Sequence, residues 1–374
     1  MKFKRKQSIE LALEPKRILV VYGPRRVGKT TLLQAYLNEQ QGRKVFYANG
    51  DDARLREIFE QEYMKEILDF ARPNDIIALD EAQQISSIGI GAKMIIDAFP
   101  EKNIILTGSS SLDLSQKIGE PLTGRHFTMT LLPLAQIEMD VNRFELKNSL
   151  EDFLLYGSYP EVLNEPNVQK KIKILNELVS SYLFKDVLMF DIIKYPDLLN
   201  NVLKCIAFQV GCEVSLNEVA KTAGTDVKTV ARYLDLLEKM FIIKKVRGFS
   251  RNLRNEISKK AKYYFLDNGI RNAVISQFNP LSLRDDIGAL WENFIFMELL
   301  KKSAIDGKFD TYYFWRTHTG QEIDIIRESN GSLEAIECKW SENKLKLPLS
   351  WTKSYPDATF RIINRDNYLD ELLG

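Results

Sequence analysis

A chain of 374 residues is longer than one that ordinarily folds around a single hydrophobic core, so two or three domains are expected. Its 45% hydrophobic and 28% charged residues exclude a disordered or fibrous protein, and a formal net charge of +1 excludes a uniformly basic surface. Three cysteines without paired spacing and only two histidines argue against a disulfide framework and a structural zinc site.

The basic residues at 1–6 are not followed by an apolar core of signal-peptide length, and no run of about 18 apolar residues occurs in the chain. We therefore expect neither secretion nor a membrane-spanning segment. Unpaired cysteines fit a reducing compartment, so the expected location is the cytoplasm.

Between residues 17 and 132, short apolar runs alternate with helical stretches. The runs read RILVVYG, KVFYANG, DIIALDE, NIILTGS and HFTMTLLPL. Strands buried on both faces look like this, so the pattern predicts an α/β domain over 1–140 with a mostly parallel sheet flanked by helices. Helical periodicity then dominates 141–265, and strand-like runs return within 266–374. The sequence therefore predicts three domains with these bounds.

A phosphate-binding loop follows the first predicted strand. The segment GPRRVGKT satisfies G-x-x-x-x-G-K-[ST] between a strand at Ile18–Tyr22 and a helix at Thr30–Asn38. Backbone N–H groups of such a loop bind phosphate oxygens, Lys29 reaches the β and γ phosphates, and Thr30 ligates Mg²⁺. The predicted ATP-binding residues are Gly23, Pro24, Arg25, Arg26, Val27, Gly28, Lys29, Thr30 and Thr31.

Two further strands end in polar residues that fit hydrolysis. Asp80 and Glu81 close the run IIALDE, where the first would hold Mg²⁺ and the second would orient the attacking water. Ser109 follows the next strand and is a candidate sensor of the γ-phosphate, although hydroxyls there are usually turn or cap residues. Arg125 is a candidate for an arginine acting on nucleotide within the chain or in a neighbouring subunit, and a plain surface arginine is an equal alternative.

The segments GPRRVGKT, LDEAQ, LTGSSS and LTGRHFTMTLLPL resemble the AAA-type ATPases found fused to a domain of unknown function in bacteria and archaea. The resemblance spans nearly the whole chain. It implies an additional-strand P-loop fold with sensor and arginine-finger roles. Those roles carry over to the residues already named: Lys29, Thr30, Asp80, Glu81, Ser109 and Arg125.

The middle segment has the outline of a winged helix. Ser215 and Glu218 have capping-box spacing at the start of a short helix over 216–222, and a turn at 223–225 leads into a longer helix over 226–240. Two strand-like runs follow, joined by a basic stretch. Such elements contact DNA, although solvated loops and protein-binding winged helices look the same. The candidate nucleic-acid-binding residues are Lys228, Arg232, Arg247, Arg251 and Arg254.

The last segment carries a second constellation of charged residues. Glu292 in a helix predicted over 287–301, Asp324 and then Glu337-Cys338-Lys339 follow the order of PD-(D/E)xK nucleases, which the segment resembles. Asp324 and Glu337 would hold Mg²⁺ with Glu292 as a further ligand, and Lys339 would polarise the attacking water. The alternatives are that Glu322 replaces Asp324, or that all are surface residues of amphipathic strands. A nuclease-like fold does not establish cleavage.

The sequence as a whole predicts an α/β protein of three parts: a P-loop AAA-like domain, a helical and winged-helix region, and a small restriction-endonuclease-like domain. The expected activity is ATP hydrolysis that acts as a switch or motor on DNA. Two rivals remain open: a Mg²⁺-dependent nuclease licensed by ATP, and a regulatory scaffold whose C-terminal domain has lost its chemistry. A homo-oligomer is also compatible.

Overall fold

The computed structural model describes residues 3–109, 122–180, 196–250, 260–317, 319–341 and 347–373. The chain divides into two compact units. The N-terminal unit consists of Arg5–Leu132 with Lys239–Phe241, and the C-terminal unit of Met1–Lys4, Pro133–Glu238 and Ile242–Gly374.

The N-terminal unit is built on a five-stranded parallel sheet. Its strands are β1 (Ile18–Tyr22), β2 (Val45–Asn49), β3 (Ile76–Asp80), β4 (Asn103–Gly108) and β5 (His126–Thr130). They lie in the order β2-β3-β4-β1-β5, and every pairing is parallel. The predicted parallel sheet is therefore confirmed.

Helices alternate with these strands along the chain. They are α1 (Ile9–Ala12), α2 (Lys29–Asn38), α3 (Ala53–Glu60), α4 (Met64–Ala71) and α5 (Ile88–Ala98). The central strands β1 and β3 are buried along their whole length, whereas the edge strand β2 alternates between exposed and half-buried residues. This difference explains why the central strands read as continuous apolar runs. Phe241, from the second segment of the unit, packs against the same core.

The helices of the C-terminal unit lie mostly in the first half of its sequence. They are α6 (Arg143–Asn148), α7 (Leu150–Tyr156), α8 (Pro160–Asn164), α9 (Val168–Ser180), α10 (Pro196–Phe208), α11 (Leu216–Ala223), α12 (Val227–Lys239), α13 (Asn268–Val274), α14 (Ile287–Ile305), α15 (Leu349–Ser354) and α16 (Tyr368–Leu373). Most of α14 is buried, including polar residues such as Asn293, Glu298 and Lys301.

One sheet of seven strands runs through the C-terminal unit. Its strands are β6 (Glu213–Val214), β7 (Ile243–Gly248), β8 (Ala261–Phe265), β9 (Thr311–Arg316), β10 (Glu322–Ser329), β11 (Ser332–Cys338) and β12 (Thr359–Ile363). They lie in the order β12-β11-β10-β9-β7-β8-β6. The parallel pairing of β7 with β9 joins the strands before residue 266 to those after it. Strands from the segments 141–265 and 266–374 therefore share one sheet.

No helix within the described ranges is both long enough and apolar enough to cross a membrane.

Candidate functional site

The loop between β1 and α2 has a backbone that only glycine permits at its first position. Gly23 has φ +153°, and a Cβ atom there would lie 2.0 Å from the carbonyl oxygen of Leu131. Gly28, with φ +97°, occupies the N-cap of α2 and has no side chain to cover the end of the helix. The positive end of the helix dipole therefore faces the loop, as an anion-binding site requires.

Lys29 lies inside the curve of this loop. Its Nζ donates hydrogen bonds of 2.9 Å to the carbonyl oxygens of Gly23 and Pro24, and the residue is only 5% exposed. A lysine held by the loop's own carbonyls is placed to bind a phosphate group that enters the loop.

Thr30 and Asp80 join the loop to the end of β3. The Thr30 hydroxyl donates a hydrogen bond of 2.6 Å to Asp80 Oδ2. Asp80 also accepts hydrogen bonds from the hydroxyl of Thr107, through Oδ1, and from Tyr47 at 3.4 Å. A hydroxyl and a carboxylate this close together fit the coordination shell of Mg²⁺, which prefers oxygen ligands.

Glu81 has a left-handed backbone with φ +50°, which is unusual for a residue other than glycine. Its N–H donates a hydrogen bond of 3.1 Å to Thr107 Oγ1, and its carboxylate accepts one from the side-chain amide of Gln83. The same amide donates to Ser109 Oγ at 3.3 Å. The structure therefore brings Glu81 and Ser109 together through Gln83.

Arg125 lies at the opposite end of the sheet from the loop. It immediately precedes β5, whose first residue, His126, pairs with Ile18 at the start of β1, whereas the loop follows Tyr22 at the end of β1. The Arg125 guanidinium instead binds Asp97, with Nε 2.7 Å from Oδ1. The structure does not bring Arg125 to the loop of its own chain, so the remaining alternatives are a role in a neighbouring subunit and a plain surface arginine.

Asp324 on β10, Glu337 on β11 and Lys339 just after β11 form part of a charged cluster in the C-terminal unit, which we call the carboxylate centre. Lys339 Nζ lies 3.0 Å from Glu337 Oε2 and 3.6 Å from Asp324 Oδ2. The N–H of Cys338 donates a 2.8 Å hydrogen bond to Asp324. These three predicted site residues are therefore adjacent.

Burial and the charges of neighbouring groups shift the pKa values of Glu337 and Lys339. Burial, followed by the charge of Asp324, raises the pKa of Glu337 to about 7, although Lys339 opposes the shift. For Lys339, burial lowers the pKa, but the charges of Asp324 and Glu337 outweigh it and raise the pKa overall.

Glu292 has different partners from the other carboxylates. It lies on α14, where it accepts hydrogen bonds from Lys262 Nζ at 3.2 Å and from the Tyr264 hydroxyl at 2.6 Å. Lys262 Nζ is also 2.8 Å from Glu322 Oε1. Burial is the main cause that raises the pKa of Glu292 to about 7, and Lys262 counteracts part of the shift.

The two lysines contact different carboxylates: Lys262 contacts Glu292 and Glu322, and Lys339 contacts Asp324 and Glu337. Among the described residues, no three His, Cys, Asp or Glu side chains are grouped so that they could hold a metal ion. Glu292 contacts Lys262 and Tyr264, and the charge of Asp324 contributes to raising its pKa, so its role as a further metal ligand stays a prediction. Asp324 and Glu337 alone still fit Mg²⁺, which commonly binds through one or two carboxylates together with substrate oxygens.

The helices α11 and α12 meet at a tight turn. Ser215 Oγ caps α11 by accepting from the N–H of Glu218, and Gly224 ends it with φ +71°. Lys228 and Arg232 are exposed on α12, and Arg247 is exposed on β7. The predicted contact residues Arg251 and Arg254 lie outside the described residues.

Three family models match successive parts of the chain. Residues 15–139 match an AAA domain. Residues 147–281 match a domain of unknown function (DUF8612), and residues 287–356 match another (DUF4143). The AAA match and the geometry of the loop together support a P-loop ATPase domain that binds nucleotide.

Similar proteins occur in distant organisms. An uncharacterized protein of Haemophilus influenzae is 27% identical over 340 residues, which are 83% of this chain and 79% of that protein. An uncharacterized protein of Methanocaldococcus jannaschii is 27% identical over 384 residues, covering 96% of this chain and 83% of its own. Among solved structures, AMPPCP-bound DnaA from Aquifex aeolicus aligns at 20% identity with a TM-score of 0.29, covering 61% of this chain and 82% of that one. A TM-score of this size does not establish a shared fold.

Sequence reasoning missed several residues that the structure brings to these centres. Thr107 forms hydrogen bonds with Asp80 and Glu81, and Gln83 donates one to Glu81. Lys262 and Tyr264 donate hydrogen bonds to Glu292. The clearest signal was Lys262, because it is the only charged residue in the strand AKYYF, which is buried on both faces. A lysine in such a strand needs an acidic partner.

Proposed function

We propose that this protein binds ATP with Mg²⁺ and hydrolyses it in the N-terminal unit. The observation that carries the proposal is the hydrogen bond between Thr30 and Asp80, because it joins the phosphate-binding loop to the acidic strand. Lys29 would bind the β and γ phosphates, and Thr30 and Asp80 would hold Mg²⁺, which neutralises phosphate charge. Glu81 would orient the attacking water, and Ser109 would sense the γ-phosphate.

The Glu81→Gln variant tests this assignment. A glutamine keeps the size of the side chain but cannot accept a proton from water, so we expect ATP hydrolysis to fall about a hundredfold or more while ATP binding persists. Glu101→Gln, at an exposed glutamate in the turn before β4, is the matched control. Hydrolysis by Glu81→Gln at the wild-type rate would show that another residue orients the water.

DNA is the proposed partner of the C-terminal unit. The support is the pair α11 and α12, with Lys228 and Arg232 exposed at the start of the second helix, where a recognition helix meets DNA. ATP would then act as a switch or motor for a DNA-bound module. ATP hydrolysis measured with duplex DNA, with single-stranded DNA and without DNA tests the coupling, and equal rates in all three would argue against it.

The basic residues after β7 offer a direct test of DNA contact. Replacing both Arg251 and Arg254 with alanine should weaken duplex binding and reduce the slope of log affinity against log salt by about 1 for each lost phosphate contact. Lys353→Ala, at an exposed lysine of α15, controls for loss of charge alone. Unchanged binding would contradict contact by these arginines, and no binding of the wild type at low salt would favour the scaffold alternative.

A second candidate function is Mg²⁺-dependent cleavage of DNA in the C-terminal unit. The observation that favours it is the adjacency of Asp324, Glu337 and Lys339 at one end of β10 and β11. We expect nicking of plasmid DNA that Lys339→Ala abolishes and Lys29→Ala retains. Nicking that survives Lys339→Ala would place the activity elsewhere, and no nicking by the wild type would indicate an inactive centre.

A further inference from the structure

Lys262 is a buried cation at the centre of the C-terminal unit. It lies on β8, where all five residues are buried, and only 1% of its surface is exposed. Removing an ammonium group from water is unfavourable, so such a group needs close anionic partners. Lys262 has two, Glu292 at 3.2 Å and Glu322 at 2.8 Å, and it lies 5.5 Å from the centre of the Phe314 ring.

The two lysines of this centre differ in access. Lys339 lies between Asp324 and Glu337 with 32% of its side chain exposed, so its partners can exchange it for another cation. Lys262 is enclosed, and Glu292 is further fixed by the Tyr264 hydroxyl. The lysine of the Asp324–Glu337 pair can therefore leave for solvent, whereas Glu292 and Glu322, the latter 33% exposed, share a lysine that cannot.

The enclosing groups come from four separate parts of the chain. Lys262 and Tyr264 belong to β8, Glu292 to α14 and Glu322 to β10. A Cβ atom on Gly211, in the loop before β6, would lie 3.2 Å from the Glu292 carboxylate, so backbone closes that side. The residues that match the two domains of unknown function, 147–281 and 287–356, therefore build this centre together.

We propose that Lys262 is a positioning residue that acts as a permanent internal cation. It holds Glu292 and Glu322, closes that half of the centre to divalent ions, and leaves a single ion site between Asp324 and Glu337. This inference rests on the second candidate function, which assigns Mg²⁺ to Asp324 and Glu337.

Mn²⁺ binding to the full-length chain without nucleotide tests the inference. Stoichiometry and affinity are measured by calorimetry and by electron paramagnetic resonance, in an Asp80→Asn background that removes the N-terminal carboxylate ligand. We expect one ion in the parent chain, and Asp324→Asn should weaken its binding about tenfold or more. If Asp324→Asn leaves the affinity unchanged, the proposed metal centre itself fails, independently of Lys262.

Three further variants address Lys262 directly. Lys262→Met keeps the length of the side chain and removes its charge, so Glu292 and Glu322 should accept a second Mn²⁺, and adding Glu292→Gln should restore one. Lys262→Arg keeps a cation and should bind one ion. A single ion of unchanged affinity in a folded Lys262→Met variant would overturn the inference.

The Glu292→Gln variant decides the question if Lys262→Met does not fold. Because Glu292 contacts Lys262 rather than the ion, the Mn²⁺ affinity of the Glu292→Gln variant should equal that of the parent chain. Weakening by about tenfold or more, the loss typical of a disturbed metal site, would make Glu292 a metal ligand and overturn the role of Lys262.

Discussion

At the scale of single residues, hydroxyl groups around one buried carboxylate organise the N-terminal site. Asp80 is 2% exposed and accepts hydrogen bonds from Thr30, Thr107 and Tyr47. These hydroxyls come from α2, β4 and β2, so three elements must be correctly packed before the carboxylate is oriented. The strand β3, which carries Asp80, does not orient the carboxylate by itself.

Thr107 provides a test of that arrangement. Its hydroxyl donates to Asp80 and accepts from the N–H of Glu81, and the residue is fully buried. Thr107→Val would leave both groups without this partner, and we expect a loss of about 1–3 kcal/mol in unfolding free energy together with a larger effect on ATP hydrolysis than on ATP binding. Thr107→Ser keeps the hydroxyl and is the control. Equal hydrolysis by both variants would contradict the prediction.

Site residues could be predicted from sequence where they belong to one contiguous motif, and less well where they come from different strands. Lys29 and Thr30 belong to one eight-residue pattern, so their contacts with the loop and with Asp80 follow from local sequence. Thr107 and Ser109 both follow the same apolar run, and only the pairing of β3 with β4 decides which hydroxyl reaches Asp80. That pairing joins residues far apart in the chain.

At the scale of elements, the beginning of α14 depends on one aspartate between two buried arginines. Asp286 is its N-cap residue, and its carboxylate binds the guanidinium groups of Arg271 and Arg284. Burial raises the pKa of Asp286, but the hydrogen bonds from Arg284 and the charge of Arg271 outweigh it, so the pKa lies below its ordinary value of 3.8. The charged carboxylate therefore stabilises the folded state.

This ion pair predicts an acid-sensitive contribution to stability. Because the pKa of Asp286 is lower in the folded state, its contribution is complete above about pH 4 and is lost as the pH falls through the folded-state value. At pH 7, Asp286→Asn should lower the unfolding free energy of the C-terminal unit by about 3 kcal/mol, since two buried arginines lose their partner. The difference from wild type should shrink below pH 4.

Tryptophan fluorescence can measure this effect selectively. All four tryptophans lie between residues 291 and 351, within the C-terminal unit. Urea unfolding followed by their emission at several pH values gives the comparison, with the exposed neighbour in Asp285→Asn as control. A difference between Asp286→Asn and wild type that does not change with pH would contradict the assigned charge effect.

Helix bounds show what periodicity can and cannot predict. The short helix predicted at 216–222 is Leu216–Ala223, because its cap at Ser215 and its end at Gly224 are local signals. The helix predicted at 287–301 continues to Ile305. Its polar residues Glu298 and Lys301 are buried and paired with each other, which hides the usual contrast between a polar and an apolar face.

At the scale of the whole molecule, the chain enters the N-terminal unit twice. After α12 the residues Lys239–Phe241 belong to that unit, and Phe241 packs against its core with the strained φ of +58°. Sequence patterns placed 141–265 in a separate domain, because three residues carry no periodic signal. A core that borrows a distant segment can be recognised only from the fold.

Phe241 therefore contributes to the stability of the N-terminal unit, although it lies more than 100 residues beyond the end of that unit's main segment at Leu132. Phe241→Ala should destabilise the N-terminal unit by about 2 kcal/mol, because the side chain is only partly buried. Hydrogen exchange followed by mass spectrometry should show faster exchange in β1, β3 and β4. Phe208→Ala, at a phenylalanine that is 70% exposed, serves as the control, and equal exchange in the two variants would contradict the prediction.

The second entry of the chain has a consequence for synthesis on the ribosome. Residues up to Leu132 emerge first, but the core they form stays incomplete until Phe241 has also left the exit tunnel. At roughly 5–20 residues per second, the delay is about 5–20 s. During that interval apolar surface of the nascent N-terminal unit remains available to chaperones, so this protein should depend on them more than one whose first unit is contiguous.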